Sequence, residues 1–315
     1  MEIKQLKHGV IYLADALETV KMLPDESIDC VITSPPYFKL RDYGYDSQWG
    51  LEESYTEYLD KLVALMHELK RVLKDTGTMW INLGDTYMNN SSYSKAGRQG
   101  FGNDKIGMLN KKDDKIRKKS LMMIPERFAI RCIDEVGLIL RNSIIWASPN
   151  KIPESVTDRF SKKKEYIYFF TKETKYYFDL ESIKEPLIHT KARGIKFGGN
   201  KGDGNETGIY SGNEYDASKL TGKNPGDVSD LWKITNKPNK DKHYASYNTE
   251  LINKPLIGGC PVGGVVLDPF GGTGTTAIAC LDNNRKYIMI DKSEEYFNLM
   301  VDKLSQKESD LVSND

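Results

Sequence analysis

The chain has 315 residues, with 45 Lys+Arg against 45 Asp+Glu and so no formal net charge. Hydrophobic residues at 39% and charged ones at 29% exclude a disordered or collagenous chain. The zero balance excludes a uniformly basic nucleic-acid coat, so any pull on a polyanion must come from local patches. At roughly 150 residues per domain, the length predicts two domains or one large α/β domain with an insertion.

In chain order, 9–14 (GVIYLA) reads as a buried strand and 16–22 as a helix. Residues 28–32 (IDCVI) form a second buried run. The clearest helix covers 55–73, with Leu59, Leu62, Val63, Met66, Leu69 and Leu73 on one face. Residues 78–83 read as a strand, and 125–136 as a helix with Pro125 in its first turn. Strands follow at 138–146 and 165–171, with 176–178 extending a hairpin. Near the C-terminus come strand 265–267, helix 275–281, strand 287–290 and helix 294–304. Alternation of this kind, with continuous apolar strands, predicts a largely parallel sheet covered on both faces.

Two stretches interrupt it. Residues 89–104 (NNSSYSKAGRQGFGND) read as a long loop, and 111–119 (KKDDKIRKK) follow as a basic patch. Residues 186–240 are rich in Gly, Asn, Lys, Ser and Thr but carry Phe197, Tyr210, Tyr215 and Trp232, which a pure linker would lack. They read as an inserted subdomain. Cys30, Cys132, Cys260 and Cys280 lie far apart with no CxxC pair, as buried thiols of a reduced protein do. His8, His67, His189 and His243 form no metal spacing, so no metal site is expected. No apolar run approaches the roughly 20 residues of a membrane span, and Met1–His8 hold no signal-peptide core.

Two segments carry chemistry. In Val265-Val-Leu-Asp268-Pro269-Phe270-Gly-Gly272-Thr-Gly274, a buried strand runs into a glycine turn that opens a helix. Such a turn lets a ligand approach backbone N–H groups at the helix start. The next strand ends at Asp291, placed to accept from ribose hydroxyls. A bland strand-turn-helix needing glycine for packing fits the same residues. A Walker phosphate loop does not, because no Lys-[Ser/Thr] follows. The second segment, Ser34-Pro35-Pro36-Tyr37, also ends a buried strand. Two prolines stiffen the backbone and remove N–H donors, leaving carbonyl acceptors. Ser34 adds a hydroxyl acceptor and Tyr37 a flat face. The combination suits a planar ring bearing an NH₂ group, although a rigid turn would also use it.

With both segments in one chain, the sequence resembles the DNA amino-methyltransferases of the N4-cytosine/N6-adenine type. The Ser34–Tyr37 loop matches that family's base-holding loop, and Phe270-Gly-Gly272-Thr-Gly274 its cofactor loop. The catalytic loop precedes the cofactor loop, which matches the family's β arrangement. The resemblance implies a Rossmann-like, S-adenosylmethionine-dependent methyltransferase fold: a circularly permuted, mixed seven-stranded α/β sheet. Residues 1–185 would be the catalytic part with loop 33–37, residues 186–240 an inserted target-recognition region, and 241–315 the cofactor-binding part. It implies S-adenosyl-L-methionine as cofactor, bound by Asp15, Asp268, Pro269, Phe270, Gly272, Gly274, Asp291 and His243. Asp15 stands where the acidic residue after the third strand is needed, and it also suits a helix N-cap.

The reaction implied is methyl transfer to the exocyclic amine of a flipped-out base in double-stranded DNA. Ser34 in the first loop position favours cytosine N4, with adenine N6 as the alternative. Carbon-5 methylation is excluded because the chain has no Pro-Cys dipeptide. Lys111, Lys112, Arg117, Lys118 and Lys119 in the first basic patch, with Lys162 and Lys163 beyond Arg159, are candidate phosphate contacts; charge runs that simply face water are the competing reading. Trp49 and Trp146 suit core packing better than a base pocket. Asp85 suits a turn or cap as well as a pocket edge. The resemblance also implies a companion restriction endonuclease and the cytoplasm of a prokaryotic or phage-infected cell, near the nucleoid. No sequence feature establishes a homodimer. A nicotinamide-dependent oxidoreductase would account for the glycine turn but has no use for Ser-Pro-Pro-Tyr, and neither loop is degraded as in an inactive DNA-binding module.

Overall fold

The computed structural model describes residues 1–45, 47–88, 105–106, 115–151, 154–186, 223–224, 229–235 and 249–312. The elements are β1 (Glu2–Gln5), β2 (Gly9–Leu13), α1 (Ala16–Met22), β3 (Ile28–Thr33), β4 (Arg41–Asp42), α2 (Tyr55–Val72) and β5 (Leu73–Leu83). Next come β6 (Lys105–Ile106), α3 (Ile124–Asp134), β7 (Ile139–Ala147), β8 (Lys164–Thr171), α4 (Leu180–Ile183), β9 (Glu185–Pro186) and β10 (Lys223–Asn224). The chain then forms β11 (Leu231–Lys233), α5 (Thr249–Gly259), β12 (Val265–Asp268), α6 (Thr275–Asp282), β13 (Lys286–Asp291) and α7 (Glu294–Val312). Two compact units result: Met1–Asp179 with Asp230–Asp315, and Leu180–Ser229. In the second, β9 and β10 pair antiparallel.

The first unit is built on one sheet of order β1-β2-β13-β12-β3-β5-β8-β7-β11. From β2 to β5 neighbouring strands are parallel, whereas β8 runs antiparallel to both β5 and β7. All six residues of β3 are buried, as a strand covered on both faces must be. Successive side chains divide between two cores. Val31, Met79 and Ile81 pack under α1, α2 and α3; Cys30, Ile32 and Trp80 pack under α5, α6 and α7. α2 buries Tyr58, Leu59, Leu62, Val63, Met66 and Leu69 on one stripe. Ser54 caps its start by accepting from the Glu57 N–H.

Among the described residues nine strands, not seven, make the sheet, because short edge strands are added. β1 is exposed along its whole length and so has no hydrophobic pattern to read. β11 is three residues with only Trp232 buried, inside the stretch read as irregular, and it pairs parallel to β7. The expected hairpin extension at 176–178 is not a strand. There the Tyr177 N–H donates to the Thr76 carbonyl, and the rings of Tyr176 and Phe178 pack on Phe169. α5 was not expected; Pro255 lies inside it. α7 continues eight residues beyond 304. All four cysteines are buried and free. Among the described residues no helix is long and apolar enough to cross a membrane, and no His/Cys/Asp/Glu group has a metal-holding arrangement.

Candidate active site

The two chemistry-bearing loops leave the sheet side by side. β12 and β3 are parallel neighbours, with Val266 opposite Cys30 and Leu267 opposite Val31. Both therefore deliver their next residues to the same carboxyl-end rim, where open α/β sheets bind ligands. One carboxylate joins the loops. Asp268 Oδ1 accepts from Thr33 Oγ1 at 2.7 Å and from the Phe270 N–H at 3.1 Å, while Oδ2 accepts from Thr276 Oγ1 at 2.7 Å. Burial pushes the Asp268 carboxyl up, and these donors oppose that push.

The glycine turn is shaped by what surrounds it. A Cβ on Gly271 would sit 2.9 Å from Met289 Cε and 3.0 Å from Met300 Sδ, so the turn lies close against β13 and α7 and a side chain there would push those methionine ends aside. Gly272 and Gly274 have φ of +51° and +79°, the left-handed region that glycine enters without cost. A Cβ on Gly272 would meet nothing within 4 Å, so its backbone borders open space. Gly274 is followed directly by α6.

Asp291 ends β13 beside this turn. Its Oδ2 accepts from the Gly272 N–H at 2.8 Å and its Oδ1 from the Ser293 N–H at 2.9 Å. Burial lifts its pKa to about 6 against those backbone donors. Just past the end of the adjacent β2, Asp15 follows Ala14, whose N–H donates to the Asp291 carbonyl. Asp15 is the α1 N-cap, its Oδ1 accepting from Leu17 and Glu18 N–H groups. Its Oδ2 accepts from Trp49 Nε1 at 3.0 Å. The Trp49 ring meets Phe270 edge-on at 5.3 Å, so this buried tryptophan links two expected cofactor residues.

In the catalytic loop, Pro35 is buried and Ser34 half-buried. The Pro36 carbonyl accepts from the buried Tyr58 hydroxyl at 2.8 Å; among the described residues nothing donates to the Pro35 carbonyl. Ser34 Oγ lies 3.4 Å from Asn82 Oδ1 and 3.5 Å from the Tyr37 hydroxyl. That hydroxyl lies 2.6 Å from Glu165 Oε2 and 3.0 Å from Asn82 Oδ1. Asn82 Nδ2 donates to the Tyr166 carbonyl at 3.0 Å, and Lys151 Nζ stands 3.1 Å from Glu165 Oε1. The Tyr37 ring lies so close over Gly84 that a Cβ there would fall 2.5 Å from its Cε2.

Asn82, Glu165, Gly84, Tyr58 and the Asp15–Trp49 bond were not foreseen. Asn82 left a trace: it is the one amide in the buried strand TMWINL, where an unpaired polar group is costly. Glu165 in KEYIYFFT is weaker evidence, since charges commonly end strands.

The candidate phosphate contacts separate. Lys162 Nζ donates to the Asp85 carbonyl at 2.8 Å and lies over the Tyr87 ring, and burial pushes its pKa down. It serves the protein's own framework. Lys163 donates to the Pro149 carbonyl and Lys119 pairs with Asp158 at 2.6 Å, both at the surface. Arg117 and Lys118 are exposed. Arg159 pairs with Glu154 and stacks on Tyr87 at 3.9 Å. Asp85 acts as a distant cap, accepting from the N–H groups of Met123 and Ile124 at the start of α3. Trp146 lies in the core with its Nε1 on the Ile234 carbonyl. Lys111, Lys112 and His243 lie outside the described residues.

A largely parallel sheet with a glycine turn at one strand end and Ser-Pro-Pro-Tyr at the next has the S-adenosylmethionine-dependent methyltransferase fold. The structure superposes on the cytosine-N4-specific PvuII DNA methyltransferase with a TM-score of 0.64 at 20% identity, covering 94% of this chain and 86% of that one. A DNA modification methylase from Thermus thermophilus, solved with S-adenosyl-L-methionine, matches with a TM-score of 0.58 at 22% identity over 94% and 93%. More particularly, the DNA methylase family model of the N6/N4 type matches residues 28–302, and the chain belongs to that family. It is 33% identical over 311 residues to the type II methyltransferase M.Cfr9I of Citrobacter freundii, covering 98% of this chain and 91% of that protein. M.SmaI of Serratia marcescens is 34% identical over 305 residues, covering 96% and 92%.

Proposed function

We propose that this DNA methyltransferase modifies the N4 amine of cytosine at a specific duplex site, as the modifying partner of a restriction endonuclease. The observation that carries the site assignment is the Thr33–Asp268 bond, which fixes the amine-holding loop directly beside the cofactor turn. Ser34 in the loop's first position and the type II relatives support the choice of base and setting.

The residues present fit S-adenosylmethionine, which when bound supplies an electrophilic methyl on a sulfonium. Gly272 borders open space at the start of α6. The Asp291 carboxylate, engaged by the N–H groups of Gly272, Ser293 and Lys292, has about four lone-pair sites and so keeps capacity for a ribose hydroxyl. Asp15 Oδ2 likewise keeps capacity beside Trp49.

The base-holding loop works by accepting. An exocyclic amine is a poor nucleophile because its lone pair is delocalised into the ring. Ser34 Oγ and the Pro35 carbonyl accept its two N–H bonds and draw the nitrogen toward a pyramidal shape. The nitrogen gains positive charge as its new bond forms, so both acceptors strengthen in the transition state. The base reaches this loop only after leaving the duplex stack, and the Tyr37 face offsets part of that cost. Modification-sensitive sequencing of DNA from cells expressing the chain tests base and site together. N4-methylcytosine within one motif is expected; N6-methyladenine would overturn the cytosine assignment. Ser34→Ala is expected to lose methyl transfer by about 100-fold or more while still binding S-adenosylhomocysteine. Undiminished turnover would reject the role of the loop.

A further inference from the structure

We propose that Glu165 is a positioning residue for methyl transfer: by accepting the hydrogen bond of the Tyr37 hydroxyl, it leaves Ser34 facing only acceptors and so commits the serine to accept from the base. The inference rests on the reading of Ser34-Pro35-Pro36-Tyr37 as the amine-holding loop.

The hydrogen-bond inventory dictates it. A tyrosine hydroxyl has one proton, and among the described residues its candidate acceptors are Glu165 Oε2 at 2.6 Å and Asn82 Oδ1 at 3.0 Å. The charged and nearer oxygen wins, since bonds to a carboxylate are shorter and about twice as strong as neutral ones. Asn82 cannot turn its amide to compete. Its Nδ2 is spent on the Tyr166 carbonyl, which aims Oδ1 at Tyr37 and Ser34. Ser34 Oγ then has Asn82 Oδ1 at 3.4 Å and the lone pairs of the Tyr37 oxygen at 3.5 Å. Both neighbours accept, so the serine proton turns toward the protein and its lone pairs face outward.

Without the carboxylate, the Tyr37 proton is released. It can rotate onto Asn82 Oδ1, competing with the serine for that acceptor, or toward Ser34 Oγ, occupying a lone pair meant for substrate. Lys151, 3.1 Å from Oε1, holds the Glu165 carboxylate in place from its other side. The side chain of Glu165 is only 16% exposed, so water does not readily replace this arrangement. Glu165 lies in β8 and Asn82 in β5, which are hydrogen-bonded neighbours, so the pair is fixed by the sheet itself and not by a loop.

The test is a double-mutant cycle on Glu165→Gln and Tyr37→Phe, with methyl transfer to duplex DNA measured under single-turnover conditions. Glu165→Gln is expected to slow transfer about ten- to a hundredfold, and Tyr37→Phe, which has no such proton, to slow it less, with S-adenosylhomocysteine and DNA affinities within about twofold of wild type in both. Because Glu165 acts through the hydroxyl that Tyr37→Phe removes, the double variant is expected to be no slower than Tyr37→Phe alone. Losses that multiply would show that Glu165 acts elsewhere and overturn the proposal. So would a double variant no faster than Glu165→Gln alone, since Tyr37→Phe keeps the ring but removes the proton that does the harm. A wild-type chain that methylates no duplex at all would instead refute the methyltransferase reading itself, and the role of Glu165 with it.

Discussion

Gly84→Ala is the sharpest perturbation the structure offers, because it adds one methyl group beneath the Tyr37 ring, which we propose holds the base. Gly84 does not lie among the glycines of positive φ, so alanine suits its backbone and the effect is steric. The new Cβ would sit 2.5 Å from Tyr37 Cε2 and 2.9 Å from Cδ2. The ring must retreat by about 0.9 Å to regain ordinary contact. It cannot do so freely, since its hydroxyl is held 2.6 Å from Glu165 and 3.0 Å from Asn82. Overpacking of this kind costs about 1–3 kcal/mol of stability. A displacement near 1 Å in a positioning group costs about 100-fold in rate. The assay is transfer of radiolabelled methyl to duplex DNA, read beside thermal melting and S-adenosylhomocysteine titration. We expect kcat to fall about 100-fold, the melting point to drop by a few degrees, and ligand affinity to hold. A kcat within about threefold of wild type would refute the claim that the placement of this ring matters.

Two further outcomes are expected. Thr33→Val leaves Asp268 Oδ1 with the Phe270 N–H alone, and should cost about 1–3 kcal/mol in chemical denaturation, with Thr33→Ser recovering most of it. For Asp291, whose pKa is lifted to about 6, S-adenosylhomocysteine affinity should weaken as pH falls through that value, because ribose hydroxyls need the charged acceptor. The apo protein should respond oppositely. A carboxyl raised on folding binds more protons in the native state, so its contribution to stability improves on acidification from about 6 toward the ordinary carboxylate range. Asp291→Asn should flatten both trends in calorimetry and in melting.

The fold was legible where the core is continuous. β3, α2 and the β12–α6–β13 segment announce themselves because burial on both faces, or on one helical stripe, leaves an unbroken apolar pattern. β1 and β11 did not, since an exposed edge strand is held by backbone hydrogen bonds that no side chain records. In the site, Ser34–Tyr37 and Asp268–Gly274 were readable as contiguous motifs whose residue types suit one task. Their supports were not. Asn82, Glu165 and Gly84 reach Tyr37 from β5, β8 and the residue just after β5, so the link exists only once the sheet is paired. Lys162 shows the converse: in sequence it belongs to a basic run, but its ammonium is drawn inward by the Asp85 carbonyl.

The strand order has a consequence for synthesis. β2 and β3 are separated by only a short helix in the chain, yet β13 and β12 lie between them in the sheet. At about 4.8 Å per strand, the gap between β2 and β3 is roughly 14 Å wide, and only β12 and β13, made more than 200 residues later, can fill it. Without β12 and β13, the facing edges of β2 and β3 would present unpaired N–H and C=O groups, the kind that recruit stray partners. β12 brings Asp268 to Thr33 as it fills that gap, so a chain made only as far as residue 264 lacks the 2.7 Å bond that joins the two loops.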